Sequence, residues 1–269
     1  MTTTHSIDGW PAVVQLHRDL GRALPLGEVE DSTWLFERAA TTELRRAAAA
    51  VPGATPGQLR IDLANPDAAG APAVAAPPGA LPPGPLRIDG EFAALPGEPL
   101  PALSDQLRHV MFACAADRLG LRVTEVNLRV TALLESADVP PVTSAPVEVL
   151  TASPDGDAAF TAVAVPGVAH LTRTLGSPVT ERRGHLRVEF ATAAGHHPLH
   201  VARAVRTAVT ATLTSDATVT VLITAMNVTA FRPRRRGFGG KAGSSVAVAV
   251  AASCVGEALP SWITSPSKR

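Results

Sequence analysis

Histidines gather in one stretch of the sequence and come nearest to the spacing of a metal site; they are His170, His185, His196, His197 and His200. His196 and His200 are four residues apart, a spacing that places two imidazoles on one face of a helix. Pro198 lies between them and disfavours a continuous helix, and His197 occupies the position where a zinc-protease helix carries its glutamate base. The stretch therefore indicates a solvated turn, with His196, His200 and His170 as the candidate metal ligands.

The densest cluster of positive charge lies near the end of the sequence and comprises Arg232, Arg234, Arg235, Arg236 and Lys241. Such a cluster can contact the phosphates of a nucleic acid or an anionic membrane surface. The Gly and Pro residues around it favour another interpretation, a solvated and flexible arm. Gly239-Gly240-Lys241 does not complete a phosphate-binding loop, because Ala242 replaces the Ser or Thr that reaches Mg²⁺.

Nucleophilic and acid–base chemistry have no sequence signature in this chain. It contains no Gly-x-Ser-x-Gly motif, and neither cysteine lies in a nucleophile motif. Five carboxylates occupy strand positions predicted to face solvent: Asp62, Asp89, Glu91, Glu125 and Glu189. Because a carboxylate on a strand face usually serves solubility, we expect no catalytic residue and no cofactor.

Charge and composition exclude two broad classes of protein. The 269 residues carry 24 basic and 24 acidic side chains, so the formal net charge is zero. That balance excludes a protein whose whole surface binds nucleic acid, and equally a long acidic solvating protein. Hydrophobic residues make up 46 %, but aromatic residues only 4 %, and tyrosine is absent. Since alanine-rich cores bury little apolar surface, we expect small modules rather than one thick domain.

Cysteine content and hydropathy predict a cytoplasmic protein. Cys114 and Cys254 lie far apart and form no disulfide framework, which indicates a reducing compartment. Residues 1–8 are polar and do not resemble a signal peptide. The longest apolar stretch, 246–255, is too short for a transmembrane segment, which needs about 20 residues.

Prolines divide the chain. The Pro-rich stretch 64–85 excludes a central strand or a helix interior. We predict a first module over 1–135, with N-terminal helices and this insertion, a linker over 136–157, a second module over 158–230, and a basic, flexible tail over 231–269. In the first module, the apolar spacing predicts a helix over about 10–20. A second helix is expected to be capped by Asp31 or Ser32, with Trp34 and Leu35 on its apolar side.

The two modules repeat one order of elements, which predicts a duplication. In each, a Val-Pro-Gly turn (51–53 and 165–167) ends a helix, and strands, a second helix and a last strand follow. The strand at 186–189 aligns with 86–89, and the last strand at 219–226 aligns without a gap with 126–133. We therefore predict an α+β fold of two small tandem modules, each a short mixed or antiparallel sheet covered by one or two helices.

Two motifs of this repeat resemble the alkaline-shock-protein family of the bacterial envelope stress response. Val165-Pro166-Gly167-Val168 matches the family's early turn, and residues 119–130, which read Leu-Gly-Leu-Arg-Val-Thr-Glu-Val-Asn-Leu-Arg-Val, are similar to its late segment. The first half departs from the early turn, with Ala54 after Gly53, and the second half lacks the late motif. The resemblance spans most of 40–230, divided between two degenerate copies, and is greatest to alanine-rich actinobacterial members.

The resemblance implies a small, non-enzymatic, cytoplasmic protein whose partners are other proteins. A membrane-anchored envelope-stress protein or a paralogue is the partner that it implies, and it supplies no catalytic residue. The departures from the family bear most on self-assembly, because the fusion of divergent copies can replace a homo-oligomeric contact by an intramolecular one. Two alternatives stay open: a module associated with nucleic acid or an anionic surface through the arginine-rich tail, with nucleic acid the less favoured partner, and a metal-dependent enzyme at the histidine cluster.

Overall fold

The computed structural model describes residues 20–135, 149–182, 184–213 and 217–226. These residues form four α-helices and two β-sheets, so the predicted α+β class is confirmed. The helices are α1 (Glu37–Ala48), α2 (Leu100–Ala113), α3 (Asp157–Ala164) and α4 (Pro198–Thr210). Short 3₁₀ turns lie at Val29–Asp31 and Pro66–Ala68, and a π-helix over Cys114–Leu119 continues α2. None of the helices described has the length and hydropathy of a membrane span.

The ten strands are β1 (Ala23–Pro25), β2 (Thr33–Phe36), β3 (Ala54–Leu63), β4 (Leu86–Ala94), β5 (Val123–Leu133), β6 (Thr151–Ala152), β7 (Val168–Thr172), β8 (Val179–Arg182), β9 (His185–Thr192) and β10 (Thr218–Met226). One sheet has the order β3-β4-β5, and the other follows β1-β2-β10-β9-β7-β6, with β8 also paired with β9. The pairs β4–β5, β9–β10 and β2–β10 are parallel, and all other pairs named here are antiparallel.

Both halves contain the same supersecondary unit, in the order that the sequence predicts. In the first half α1, the Val-Pro-Gly turn, β3, β4, α2 and β5 follow one another. The second half has α3, the turn, β7, β9, α4 and β10 in the same order, with the additional strand β8 between β7 and β9. Each unit pairs its first two strands antiparallel and its last two strands parallel. The turn is closed in the same way twice, since Leu95 N–H donates to Gly53 at 2.9 Å and Ala193 N–H donates to Gly167 at 2.8 Å.

Strand register shows how the two halves correspond residue by residue. Val126 pairs with Ile88, and Val219 pairs with Leu186. The gap-free alignment of 219–226 with 126–133 therefore agrees with the pairing, including a bulge at Thr131 and Thr224. The alignment of 186–189 with 86–89 is wrong by two residues, because Leu186 corresponds to Ile88. A shift of two keeps every side chain on its original face, so alternation alone does not detect it.

The helices of both halves face one hydrophobic core between the sheets. That core includes Leu44 and Leu107 of the first half and Val205 and Val221 of the second half. Gly120 caps the C-terminus of the π-helix with a φ of 76°, in the left-handed region that favours glycine, and lies against the start of α4. A Cβ at Gly120 would lie 3.1 Å from Cβ of Leu199, so glycine is needed both for the turn and for the approach of the two halves.

The halves share secondary structure as well as a core. β1 and β2 lie within the predicted first module, 1–135, yet β2 pairs with β10 of the second half and β1 pairs with β2. Within the predicted linker, 136–157, Thr151–Ala152 forms β6 and pairs with β7. The division into modules 1–135 and 158–230 and a basic, flexible tail at 231–269 stays a prediction; the tail lies outside the described residues.

The start of the first module differs from the prediction. Trp34 and Leu35 belong to β2, and α1 begins at Glu37, with Phe36 rather than Asp31 or Ser32 at its N-cap. The reason is tertiary, since β2 lies between β1 and β10 and its side chains are buried on both faces. The helix predicted over about 10–20 falls almost wholly outside the described residues.

The Pro-rich insertion, 64–85, covers the second face of the larger sheet. Ala80 forms a bridge with Ala23 of β1, and Leu81 N–H donates to the Ala23 carbonyl at 2.8 Å. Val74 and Ala80 pack against a small cluster that contains Trp34 and Leu222. The larger sheet is thus covered on this face too, whereas the three-stranded sheet presents polar side chains on its outer face.

Candidate interaction surface

The candidate metal ligands lie on different elements. His196 precedes α4 and His200 lies in its first turn, where the ring centroids of His200 and His197 are 4.4 Å apart. Burial, followed by the charge of His200, lowers the pKa of His197. An ideal Cβ on Gly167 would lie 2.8 Å from Nδ1 of His196, which places that ring against the Val-Pro-Gly turn.

His170 faces away from the other two candidates. It lies in β7 beside Leu171, which points into the shared core, so His170 points to the opposite face of the sheet. Burial lowers the pKa of its imidazole. Across the described ranges, no three His, Cys, Asp or Glu side chains are grouped as a metal ion requires. The structure therefore does not bring His170 together with His196 and His200.

The predicted polyanion contacts lie outside the part of the chain that the structure describes; they are Arg232, Arg234, Arg235, Arg236 and Lys241. Their contact with a polyanion stays a prediction. Among the described residues, Arg206 lines a cleft of about 720 Å³ between α4 and the start of β10. Its guanidinium donates to the carbonyl of Glu30 and lies 3.9 Å from Asp31, so it is engaged in holding the turn before β2.

Glu189 corrects the expectation that the strand carboxylates face solvent, because its side chain is fully buried. It accepts hydrogen bonds from the amides of Thr174 and Leu175 at 2.8 and 3.1 Å, and Oε1 lies 2.9 Å from Nη2 of Arg187. Burial raises the pKa of Glu189 in spite of these favourable contacts. The alternation of side chains along β9 predicts correctly that Glu189 points away from the core. The loop after β7 covers Glu189 on that outer face of the sheet. The carboxylate therefore anchors that loop.

The last strand of the second half, β10, is paired on both edges. One edge pairs with β9, and the other pairs in parallel with β2, where Thr33, Trp34 and Leu35 lie beside Val221, Leu222 and Ile223. The Val221 amide also donates to the carbonyl of Ser32 at 3.1 Å. β10 is consequently an interior strand of its sheet.

An ion pair fixes the β1–β2 hairpin in that position. Nε and Nη2 of Arg203 in α4 each donate to a carboxylate oxygen of Asp31, at 2.7 Å. Burial opposes the ionisation of Asp31, but the hydrogen bonds from Arg203 and from the Glu28 amide outweigh it and lower its pKa. The turn between β1 and β2 is therefore bound to α4, and β2 is a fixed part of the second half.

The last strand of the first half, β5, pairs with β4 alone among the described strands. The N–H of Leu86 donates to the backbone carbonyl of Arg122, and the N–H of Leu134 donates to the backbone carbonyl of Ala94. The even-numbered residues of β4 therefore direct their backbone N–H and C=O groups toward β5. With Val126 opposite Ile88, the N–H and C=O groups of Val126, Leu128 and Val130 then point to the other edge. We call this open side of β5 the β5 edge. Arg108 of α2 contacts it, donating from Nε to the Val126 carbonyl at 3.3 Å.

The side chains along the β5 edge are more exposed than their counterparts in β10. Val221 and Ile223 are fully buried, whereas the corresponding Leu128 and Val130 are half-buried. Leu133 is 72 % exposed, while its counterpart Met226 is half-buried. The edge thus combines unpaired backbone groups with a partly exposed apolar row.

Charged groups of both signs lie on the outer face beside this apolar row. Glu125, Asn127 and Arg129 alternate along β5 and are exposed on its outer face. Arg129 forms an ion pair with Glu91 of β4. Nδ2 of Asn127 donates to Asp89 at 3.0 Å. A strand that approached the β5 edge would therefore meet an acidic and a basic position on one face and apolar side chains on the other.

The β5 edge was not among the candidate sites that sequence reasoning singled out. The signal for it is the gap-free alignment of the two last strands, which shows that the same strand occurs twice. The alignment does not show which copy is covered, because β2 comes from a distant part of the chain.

Comparisons of this chain with protein-family models, with curated proteins and with solved structures found no match.

Proposed function

We propose that the protein is a non-catalytic interaction module, of the alkaline-shock type, in which the β5 edge receives a strand of a partner protein. One observation carries the proposal. The same strand occurs twice, and the copy in the second half is covered by β2, whereas the copy in the first half has no second partner among the residues that the structure describes.

Physical chemistry favours the occupation of such an edge. A row of unpaired N–H and C=O groups is a template for another strand, and main-chain hydrogen bonds provide much of the affinity in strand addition. The β2–β10 pair shows what a complete edge looks like in this fold: Leu35, Val221 and Ile223 are all fully buried. A partner strand on β5 would cover Leu128 and Val130 in the same way.

The described titratable groups support a structural rather than a catalytic use. Asp31 is bound to Arg203, Glu189 accepts two backbone amides, and Cys114 is buried, which raises the pKa of its thiol. Each of these groups is engaged in packing or in fixing a loop. Their arrangement suits a rigid scaffold that presents a surface.

The proposal is tested with Leu133→Asp and the matched control Leu150→Asp. Leu133 lies on the β5 edge, and Leu150 is an exposed leucine that immediately precedes β6 of the larger sheet. Purified full-length variants are used as baits in a lysate of the source organism, and the recovered proteins are quantified by mass spectrometry. We expect proteins that bind the wild type to be lost with Leu133→Asp and kept with Leu150→Asp. Equal recovery with both variants would contradict the proposal.

A further inference from the structure

We propose that the strand received by the β5 edge is β5 of a second copy of this chain, antiparallel to the first and related to it by a two-fold axis at Asn127. This inference rests on the proposed function and names its partner. It concerns an edge that the chain cannot close with β2, since Asp31 and Arg203 hold β2 on β10.

Symmetry restricts how two copies can pair through this edge. A two-fold axis perpendicular to the sheet makes the two β5 strands antiparallel and leaves their core-facing sides on the same side of the joint sheet. The dimer would then contain one continuous sheet of six strands, in the order β3-β4-β5 followed by its symmetry mate. Such an interface is closed and exposes no further copy of the β5 edge.

The backbone groups are compatible with an axis at Asn127. In that register, Val126 of one copy lies opposite Leu128 of the other. Both residues direct their N–H and C=O groups to the β5 edge, so the two can exchange a pair of hydrogen bonds on each side of the axis. Their side chains lie on the core side of the sheet, where apolar cross-strand pairs are favourable.

Charge selects this register from its neighbours. With the axis at Asn127, Glu125 of one copy lies opposite Arg129 of the other, and the pair occurs twice. With the axis at Leu128, Glu125 would face Thr131 and Arg129 would face Asn127; with the axis at Val126, Glu125 would face Asn127. Opposite charges directly across two strands are stabilising and like charges are destabilising. Only the axis at Asn127 matches both charges.

Arg108 makes the association conditional. Its Nε occupies the Val126 carbonyl, and its Nη1 is held by Asp105 at 2.7 Å. The carbonyl must be released before it can accept from Leu128 of the second copy. A charged side chain that competes for an edge group is a common device against strand pairing. We therefore expect a dimer that forms reversibly with concentration and that gains affinity when Arg108 is removed.

The test is sedimentation velocity on the full chain over a wide range of concentration. We expect a monomer–dimer equilibrium. Glu125→Arg or Arg129→Glu alone should raise the dimer Kd about tenfold or more, because two attractive pairs become repulsive. The double variant restores the pairs in reverse and should return Kd to within about threefold of the wild type. Arg108→Ala should lower Kd.

Arg60→Glu is the matched control, since Arg60 is exposed on β3 and pairs with Asp62 on the same outer face. It should leave the equilibrium unchanged. Circular dichroism and thermal melting verify that every variant is folded. A chain that stays monomeric even with Arg108→Ala, or a dimer that the double variant fails to restore, would overturn the inference.

The two proposals fail in different ways. A monomeric chain whose protein partners are still lost with Leu133→Asp would show that the β5 edge receives a strand from a different protein. A monomeric chain that recovers the same proteins with Leu133→Asp and Leu150→Asp would overturn both.

Discussion

β5 and β10 are the corresponding last strands of a structurally repeated unit, yet one lies at the edge of three strands and the other inside a sheet of seven. Their registers and even their bulges at Thr131 and Thr224 agree. The difference comes from the β1–β2 hairpin, which precedes the first unit in the chain and pairs with the second. The two halves therefore share strand order and register, while a segment outside the repeated unit decides which of the two last strands has a second partner among the described residues.

The outer faces of the two sheets also differ in how far they are covered. Glu91 and Glu189 are corresponding residues by strand register, since Phe92 corresponds to Phe190. Glu91 lies on the uncovered face and pairs with Arg129, whereas Glu189 is buried beneath the loop after β7. Glutamate therefore forms a surface ion pair in the first half and anchors a loop from a buried position in the second half.

The largest expected difference in stability is between a residue of β2, which covers β10, and a residue of the uncovered strand β5. Leu35→Ala should reduce the free energy of unfolding by about 2–5 kcal/mol, because the Leu35 side chain of β2 is fully buried in the hydrophobic core. Leu133→Ala, at the uncovered copy, should cost less than about 0.5 kcal/mol because its side chain is exposed. Urea unfolding measures both. Equal losses would show that the β5 edge is covered in solution at the concentration used.

The two bulge threonines provide a smaller contrast. The Thr224 hydroxyl donates toward the Phe190 carbonyl at 3.3 Å and lies 2.9 Å from the Thr172 hydroxyl, fully enclosed. Thr131 contacts the Phe92 carbonyl at 3.3 Å, but it is exposed. Thr224→Val should cost about 1–2 kcal/mol and Thr131→Val less than about 0.5 kcal/mol, since water replaces only the exposed hydrogen bond. Thermal unfolding of the two variants tests this order: Thr224→Val should lose more stability than Thr131→Val, and the reverse order would contradict the difference between the two strands.

The smallest effect is the pH dependence that Glu189 contributes. An acid whose pKa is raised on folding binds protons more readily in the folded state, so its contribution to stability falls as pH rises above about 4.3. Asp31 acts in the opposite direction, because its lowered pKa makes stability fall as pH drops below about 3.9. The unfolding free energy of the wild type minus that of Glu189→Gln should therefore decline with increasing pH above about 4.3. Glu91→Gln removes the corresponding charge from the uncovered face and is the control; a rising difference for Glu189→Gln contradicts the assignment.

Much of each repeated unit follows from local sequence. The spacing of Leu107, Val110, Met111 and Cys114 predicts one helix face, and all but the half-buried Val110 are buried. Val201, Val205 and Val209 predict the corresponding face in the second half, and all three are buried. The Val-Pro-Gly turns end both first helices, with Gly53 and Gly167 at positive φ. These features depend on neighbours in the chain, and residue types that disfavour continuation of a helix mark them directly.

The errors occur where distant segments meet. Trp34 and Leu35 have apolar side chains that suit a helix or a strand, and pairing with β10 makes them a strand. Glu189 follows strand alternation, but a loop covers its face. The candidate ligands His196, His200 and His170 are near in sequence, but they lie on different elements and are not grouped as a metal ion requires. The β5 edge was overlooked because an unpaired edge has no composition of its own.

The amino-acid sequence determined the order of elements, the duplication and the inward and outward faces of the strands, because side-chain periodicity and turn residues encode these locally. Only the tertiary structure decided which copy of the last strand is interior, which carboxylate is buried and which edge stays open. Backbone N–H and C=O groups are the same at nearly every residue, so their pairing partners are chosen by the packing of distant segments and not by the residues that carry them.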